Sequence, residues 1–325
     1  MTGQGLGMST RTLRRLPRLE ESGSILRREA MELGLSPEDI RRLVDKGVWL
    51  RIRRGTYVER ESWGRLAPEQ QHLVTARAVL RGLDQPAVLG HVSAAIAHGL
   101  PAWGSDLSTV HVIRPARRHG ARVESGVAHH SATLPAEHLD KIDGIPVTSL
   151  ARTLVDHART TRFEPAVVTA DAGLRTGRLE RRDLLDMLRW QQDWPGARNA
   201  GGVVSFADGR SESVGESRGR VRIDEAGLPQ PELQVEITEE DGRFVARVDY
   251  LFRAQRTIGE FDGRLKYRLA SAGGNPEDAL WREKLREDRL RSLGYAVVRI
   301  TWADLERAPA WLRHRFLEAF ARLAV

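Results

Sequence analysis

The stretch "SGSILRREAMELGLSPEDIRRLVDKGVWLRIRRGTYV", residues 22 to 58, leaves few folds open to the N-terminal end of the chain. Ile25, Leu26, Ala30 and Leu33 follow a helical stripe that Gly34 ends. Ser36 stands where a cap belongs, Pro37 takes the first helical position, Asp39 has capping-box spacing, and Lys46-Gly47 closes a second helix. Beyond it Val48, Leu50 and Ile52 alternate with Trp49, Arg51 and Arg53, and Arg54-Gly55 supplies a turn before Thr56-Tyr57-Val58. Two helices across a tight turn, followed by a hairpin, is the pattern of a winged helix-turn-helix, expected here over residues 11 to 66.

Charge gives that segment a partner. Residues 1 to 60 hold 13 bases against 8 acids, and the whole chain 51 against 44, which favours an acidic ligand such as double-stranded DNA. The bias is discounted because 47 of the 51 bases are arginine, a skew that genome composition also produces. Arg41 and Arg42 lie on the polar side of the second helix, which in this motif enters the major groove, where arginine pairs bidentately with guanine. Arg51, Arg53 and Arg54 are expected to meet phosphate or the minor groove. The chain has no cysteine, so disulfides, thiolate metal sites and cysteine nucleophiles are excluded. No signal-peptide core and no apolar run approaching ~18 residues is found, so a soluble cytoplasmic protein with no membrane contact is expected.

Residues 67 to 207 read as a compact α+β domain. "PEQQHLVTARAVLRGL" and "HVSAAIAHGLPAWG" are helical, "STVHVIRP" alternates as a strand, and "IPVTSLARTLVDHAR" runs from strand through cap to helix. Two more helices break at Gly177, and "GARNAGG" at 196 to 202 reads as a linker. His72, His91, His98, His111, His119, His129, His130, His138 and His157 all fall here. None has H-E-x-x-H or His-x-His spacing, and His129 and His130 alternate to opposite faces of a strand, so satisfied core or surface histidines are expected rather than a zinc site. Nucleophile-elbow, phosphate-loop and dinucleotide motifs are missing.

Residues 208 to 325 give helix, three strands, helix, strand, helix: a mixed sheet flanked by helices, with a hairpin turn at Asp241-Gly242. The strands "RVDYLF" and "TIGEFDG" carry acids among apolar residues. Asp249 is expected opposite Val248 and Tyr250, and Glu260 and Asp262 share a face because strand side chains repeat every two residues. Pairing the two strands gathers three carboxylates, which repel unless a cation such as Mg2+ neutralises them. Such an ion can activate water against a phosphodiester, with Lys266 placed to neutralise the charge that develops. The bland alternative is that these acids guard a strand edge or pair with Arg247 and Arg264.

Several of these segments carry a resemblance. "RRGTYV", "SAAIAHGLP", "VHVIRP", "IPVTSLARTLVD" and "ADAGLRTGRL" resemble AbiEi-type antitoxins and transcriptional regulators of type IV toxin-antitoxin systems. "SESVGES", "GLPQPELQ", "RVDYLF", "EFDGRLKY" and "REDRLRSLGYAVVRITW" are similar to the very-short-patch-repair-like branch of the PD-(D/E)XK endonuclease superfamily. The resemblance implies a multidomain α+β and α/β chain: winged helix-turn-helix, AbiEi-like middle domain, and restriction-endonuclease-like C-terminal sheet. It implies DNA as partner, with a cognate toxin and a homodimeric assembly compatible with it, and it carries the superfamily's metal site onto Glu216, Asp249, Glu260 and Asp262. Two departures stand out: Asp262 occupies the usual lysine position, and Lys266 the position where this branch often has histidine. An antitoxin-like regulator is therefore the leading expectation, and a Mg2+-dependent endonuclease the alternative.

Overall fold

The protein is described here by a computed structural model covering residues 23–116, 120–263 and 276–322, with side chains from 281 onward in the last segment. Its contacts divide the chain into two compact units: residues 1–161 with 186–197, and residues 162–185 with 198–325. Sequence punctuation alone suggests breaks near 66 and 207 instead.

The first unit begins with β1 (Ile25–Leu26), α1 (Arg27–Glu32), α2 (Pro37–Asp45), β2 (Trp49–Arg53) and β3 (Thr56–Glu59). The strands form an antiparallel sheet in the order β1-β3-β2. At the start of α2, Ser36 Oγ accepts from the Asp39 amide at 3.2 Å while the Asp39 carboxylate accepts from the Ser36 amide at 3.0 Å, the reciprocal cap that the spacing foretells. Ile25, Ala30, Leu35, Ile40, Leu43, Trp49 and Tyr57 make the core.

Two details differ from the periodicity. Ile25 and Leu26 are extended and pair with Tyr57 and Thr56, because the Leu26 amide is taken by the Glu29 carboxylate and α1 starts only after it. Trp49, not Leu50 or Ile52, points inward: it is fully buried against Tyr57, with ring centroids 5.7 Å apart. The pairing register slips between Arg51 and Arg53, so Ile52 sits in a bulge and simple alternation fails there.

The unit continues through α3 (Arg60–Arg65) and α4 (Pro68–Gly82) into a six-stranded sheet. Its strands are β4 (Val88–Leu89), β5 (Val110–Pro115), β6 (Gly120–Glu124), β7 (Val127–Ala132), β8 (Leu139–Ile142) and β9 (Ile145–Thr148), ordered β6-β7-β5-β4-β9-β8. Helix α5 (His91–Ala97) follows β4 and α6 (Leu150–Thr160) follows β9. Val79, Leu89, Val110, Val112, Val127 and Val147 pack between sheet and helices. Gly90 passes so close to β5 that an added Cβ would lie 2.4 Å from Ile113 Cδ1, which fixes how α5 leaves the sheet.

The second unit contains α7 (Phe163–Arg175) and most of α9 (Ala197–Phe206), between which α8 (Arg181–Trp190) runs. The "GARNAGG" segment is therefore helical from Ala197. Ala200, Val203 and Val204 are buried, and an added Cβ at Gly202 would only reach ordinary contact with Phe163 at 3.7 Å. Then come α10 (Val214–Glu225), β10 (Glu232–Thr238), β11 (Phe244–Phe252), β12 (Thr257–Asp262), α11 (Pro276–Ser292), β13 (Ala296–Thr301), α12 (Trp302–Leu305) and α13 (Pro309–Ala321). The sheet order is β10-β11-β12-β13, antiparallel except for the last, parallel pair. Helix α10 is bound to α7 by buried pairs, Arg220 with Asp171 at 2.9 Å and Arg218 with Glu164 at 2.8 Å. That pairing draws residues 162–185 into this unit.

Two cores flank the sheet. Ile223, Tyr250, Phe252, Val298, Ile300 and Phe316 form one, and Ile237, Ala246, Val248, Leu251, Ile258 and Leu290 the other. Val248 and Tyr250 thus lie in different cores, contrary to the alternation expected around Asp249. The facing strand switches at the same level: Leu233 belongs to the first core and Ile237 to the second, and Gln234 between them has φ +54. Both strands turn over at Gln234 and Asp249, and that shared irregularity releases Asp249 from the core.

Candidate functional site

On the N-terminal element, Arg41 and Arg42 are exposed on the outer face of α2, opposite the buried Ile40 and Leu43. Arg42 also reaches Asp39 at 3.3 Å, a solvent-exposed pair worth little. Arg51 and Arg54 are exposed, whereas Arg53 is half-buried, and burial lowers its pKa. Arg53 Nη1 has no hydrogen-bond partner among the described residues. Arg27, Arg28, Arg53, Arg54, Arg114 and Arg122 line a cleft of about 550 Å3 in the first unit. Of these, Arg27, Arg28, Arg114 and Arg122 carry no signal in the sequence, because only folding brings β5 and β6 beside the hairpin.

In the second unit a cleft of about 1020 Å3 contains Glu216, Asp249, Glu260 and Asp262. Glu216 comes from the first turn of α10, where Ser213 Oγ accepts from its amide at 3.1 Å and its own carboxylate takes the Ser213 hydroxyl and the Glu212 amide. Part of what holds it is therefore the helix cap. Gln234 Nε2 donates to both Glu216 Oε2 at 2.9 Å and Asp249 Oδ1 at 3.2 Å, so the residue with the left-handed backbone ties helix to strand. Asp249 Oδ2 accepts the Phe261 amide at 2.8 Å, where β11 and β12 part beyond the Tyr250–Gly259 pair.

Glu260 and Asp262 do share a face, and arginine meets both. Arg286 of α11 grips Glu260 with two bonds of 2.9 Å, and Arg299 stands 3.7 Å from Asp262 while also bonding Glu283 and Glu287. Burial raises the Glu260 pKa, with Glu283 and Asp249 adding to the rise and Arg286 opposing it. The oxygen donors suit a hard cation such as Mg2+. As placed, though, both Glu260 oxygens are held by Arg286, and no three of these carboxylates converge to ligand spacing among the described residues. In this arrangement the carboxylates do not fit a metal ion. Lys266 lies outside the described residues.

Of the middle-domain histidines, His72 and His98 are hydrogen-bonded in the core, while three others gather in one place. His129 and His130 do face opposite ways, His129 towards the arginine cleft and His130 into a cavity on the other side. Yet His130 meets His91 and His111, and one ring nitrogen from each lies within 4.8 Å of the other two. Each comes from a different element, so no local spacing could announce the group. His119 lies outside the described residues.

Among the described residues, no helix is long and apolar enough to cross a membrane. Residues 14–60 match the family model described as transcriptional regulator, AbiEi antitoxin. Two uncharacterized proteins of Mycobacterium tuberculosis, Rv2248 from strain H37Rv and MT2308 from strain CDC 1551, are each 30% identical to the chain over 229 residues. The match covers 70% of this chain and 80% of each relative. The chain belongs to the same family as these mycobacterial proteins, and its N-terminal segment matches the AbiEi antitoxin and transcriptional regulator model.

Proposed function

We propose that the chain is a DNA-binding transcriptional regulator of antitoxin type, in which α2 serves as the recognition helix of a winged helix-turn-helix. The observation that carries this reading is the exposed arginine set Arg41, Arg42, Arg51 and Arg54 on the helix-turn-helix-hairpin element that the AbiEi family model matches. Arg41 and Arg42 project from the exposed face of a helix whose buried side is Ile40 and Leu43, so they are available for base edges, Arg42 by exchanging its solvent-exposed pair with Asp39. The wing arginines and the cleft they share with Arg114 and Arg122 suit phosphate oxygens, which position a protein on the duplex. A cognate toxin and a homodimer would be the further partners of such a regulator. The cytoplasm would be its compartment.

A second reading, a Mg2+-dependent endonuclease, rests on Glu216, Asp249, Glu260 and Asp262 lining one cleft, and it requires them to rearrange before they could hold an ion. The arginine grip on Glu260 supports the regulator instead. Incubating the protein with supercoiled plasmid and Mg2+ or Mn2+ separates the two. The regulator reading expects retarded but intact plasmid, and metal-dependent nicking lost in Asp249→Ala and Glu260→Ala would replace it with the enzyme.

A further inference from the structure

His91 begins α5 immediately after Gly90 and holds φ +52, a left-handed backbone that a side-chain-bearing residue adopts only when its surroundings enforce it. The enforcement is visible. Gly90 is pressed against Ile113, and its amide donates to the His111 carbonyl at 3.1 Å. That turn carries the His91 ring over β5 and β7, stacked on His130 with centroids 3.9 Å apart. His111 and His130 share one face because β5 and β7 run parallel with His111 opposite Ala128, two residues before His130.

His111 Nδ1 and His130 Nε2 are 3.0 Å apart, within hydrogen-bond reach, and one ring nitrogen from each of the three residues lies within 4.8 Å of the other two. Nitrogens bound to one tetrahedral zinc at 2.0–2.1 Å stand about 3.4 Å apart, so small ring rotations complete the geometry. His91 Nδ1 lies 3.0 Å from Thr160 Oγ1, whose hydroxyl donates to the Asp156 carbonyl at 3.2 Å, so Nδ1 donates to Oγ1 and Nε2 keeps its lone pair for a metal. Three imidazole nitrogens grouped this closely form a donor set that one cation can share. His91 and His130 also line a cavity of about 210 Å3, bordered by Arg152, Asp156 and Arg159, which leaves room for a water or an anionic group as fourth ligand.

We propose that His91, His111 and His130 bind one divalent transition-metal ion, zinc under cellular conditions, with Thr160 as a positioning residue for His91. Imidazole donors select zinc, copper or nickel over magnesium and calcium, and zinc suits a tetrahedral site of this size. The site belongs to the first unit and is independent of the carboxylate cleft.

The test uses the full-length, tag-free chain stripped with a chelator and titrated calorimetrically with Zn2+ alone. One zinc per chain is expected, with cobalt giving the visible absorption of a tetrahedral complex. His111→Ala and His130→Gln should each weaken binding at least a hundredfold. Thr160→Val should weaken it about tenfold with stoichiometry kept, and His314→Ala should leave it unchanged. Circular dichroism identifies any variant that fails to fold, and the other ligand variant then carries the comparison. A wild-type chain that takes up no zinc, or equal affinity in the wild type and a folded ligand variant, overturns the proposal.

Discussion

Replacing Arg286 by alanine asks whether the acids of β12 are bound structurally or held in reserve for a metal. In the intact protein Arg286 Nη1 and Nη2 each meet Glu260 at 2.9 Å, while Nε and Nη2 reach Glu283 at 3.0 and 2.7 Å. The Glu260 side chain is 12% exposed and that of Arg286 29%. Removing one partner of a buried pair costs about 3 to 5 kcal/mol, and the partial exposure of Arg286 brings this case below that range, to about 2 to 3 kcal/mol. For a unit of about 150 residues that corresponds to a fall of roughly 5 to 10 °C in Tm.

The sign of the pH dependence follows from burial. Without Arg286, the buried Glu260 keeps a folded pKa above its unfolded value, and the nearby Glu283 raises it further. The penalty is therefore fully present above that raised pKa and fades as pH falls through it. Differential scanning fluorimetry of Arg286→Ala from pH 5 to 8, beside the double variant with Glu260→Gln, measures it. Glu260→Gln should recover most of the loss by removing the unpaired charge. A Tm within one or two degrees of wild type at pH 7, or no recovery in the double variant, would refute the reasoning.

Other consequences are sharper in sign than in size. His157 is almost wholly buried, and burial holds its imidazole at about 4. With the folded pKa below the unfolded value of roughly 6.5, its contribution of up to about 3 kcal/mol is complete above pH 6.5 and lost as pH falls through 4; His157→Gln should flatten that acid limb in urea unfolding, and an unaltered limb contradicts the assignment. Gly196 has φ +83, and an added Cβ would sit 2.1 Å from the Arg159 carbonyl oxygen, so Gly196→Ala should cost about 2 kcal/mol or more in the same assay. Gly202→Ala, whose Cβ would meet Phe163 at an ordinary 3.7 Å within a helix, should be neutral or stabilise by up to about 1 kcal/mol; similar losses for both would undo the steric argument.

What the sequence reveals follows the range of the interactions involved. The Ser36, Pro37 and Asp39 cap is legible because its partners lie three residues apart, and the turns at Gly177 and Gly242 because φ above zero favours glycine. Strands β4, β6, β7 and β8 are short and take their stability from pairing that only the assembled sheet supplies, so alternation in each is weak. Trp49 deceives because a bulge at Ile52 breaks the period of two, and Val248 and Tyr250 deceive because the strand turns over at Asp249. The acids of β11 and β12 are visible as anomalies. The arginines that meet Glu260 and Asp262 are not, since Arg286 and Arg299 lie 26 and 37 residues further on, in a helix and a strand that only the folded sheet brings near. The same holds for the histidines, each supplied by a different element.

Fluorescence anisotropy of the chain on duplex DNA from upstream of its own coding sequence, across a salt series, tests the central claim most directly. Arg41→Ala with Arg42→Ala should weaken specific binding by about 1 to 3 kcal/mol for each base edge that an arginine no longer reaches, and erase the preference over random duplex. Wild-type affinity should also fall steeply with salt. Equal affinity of wild type and double variant for both duplexes would contradict the assignment of α2 as the recognition helix.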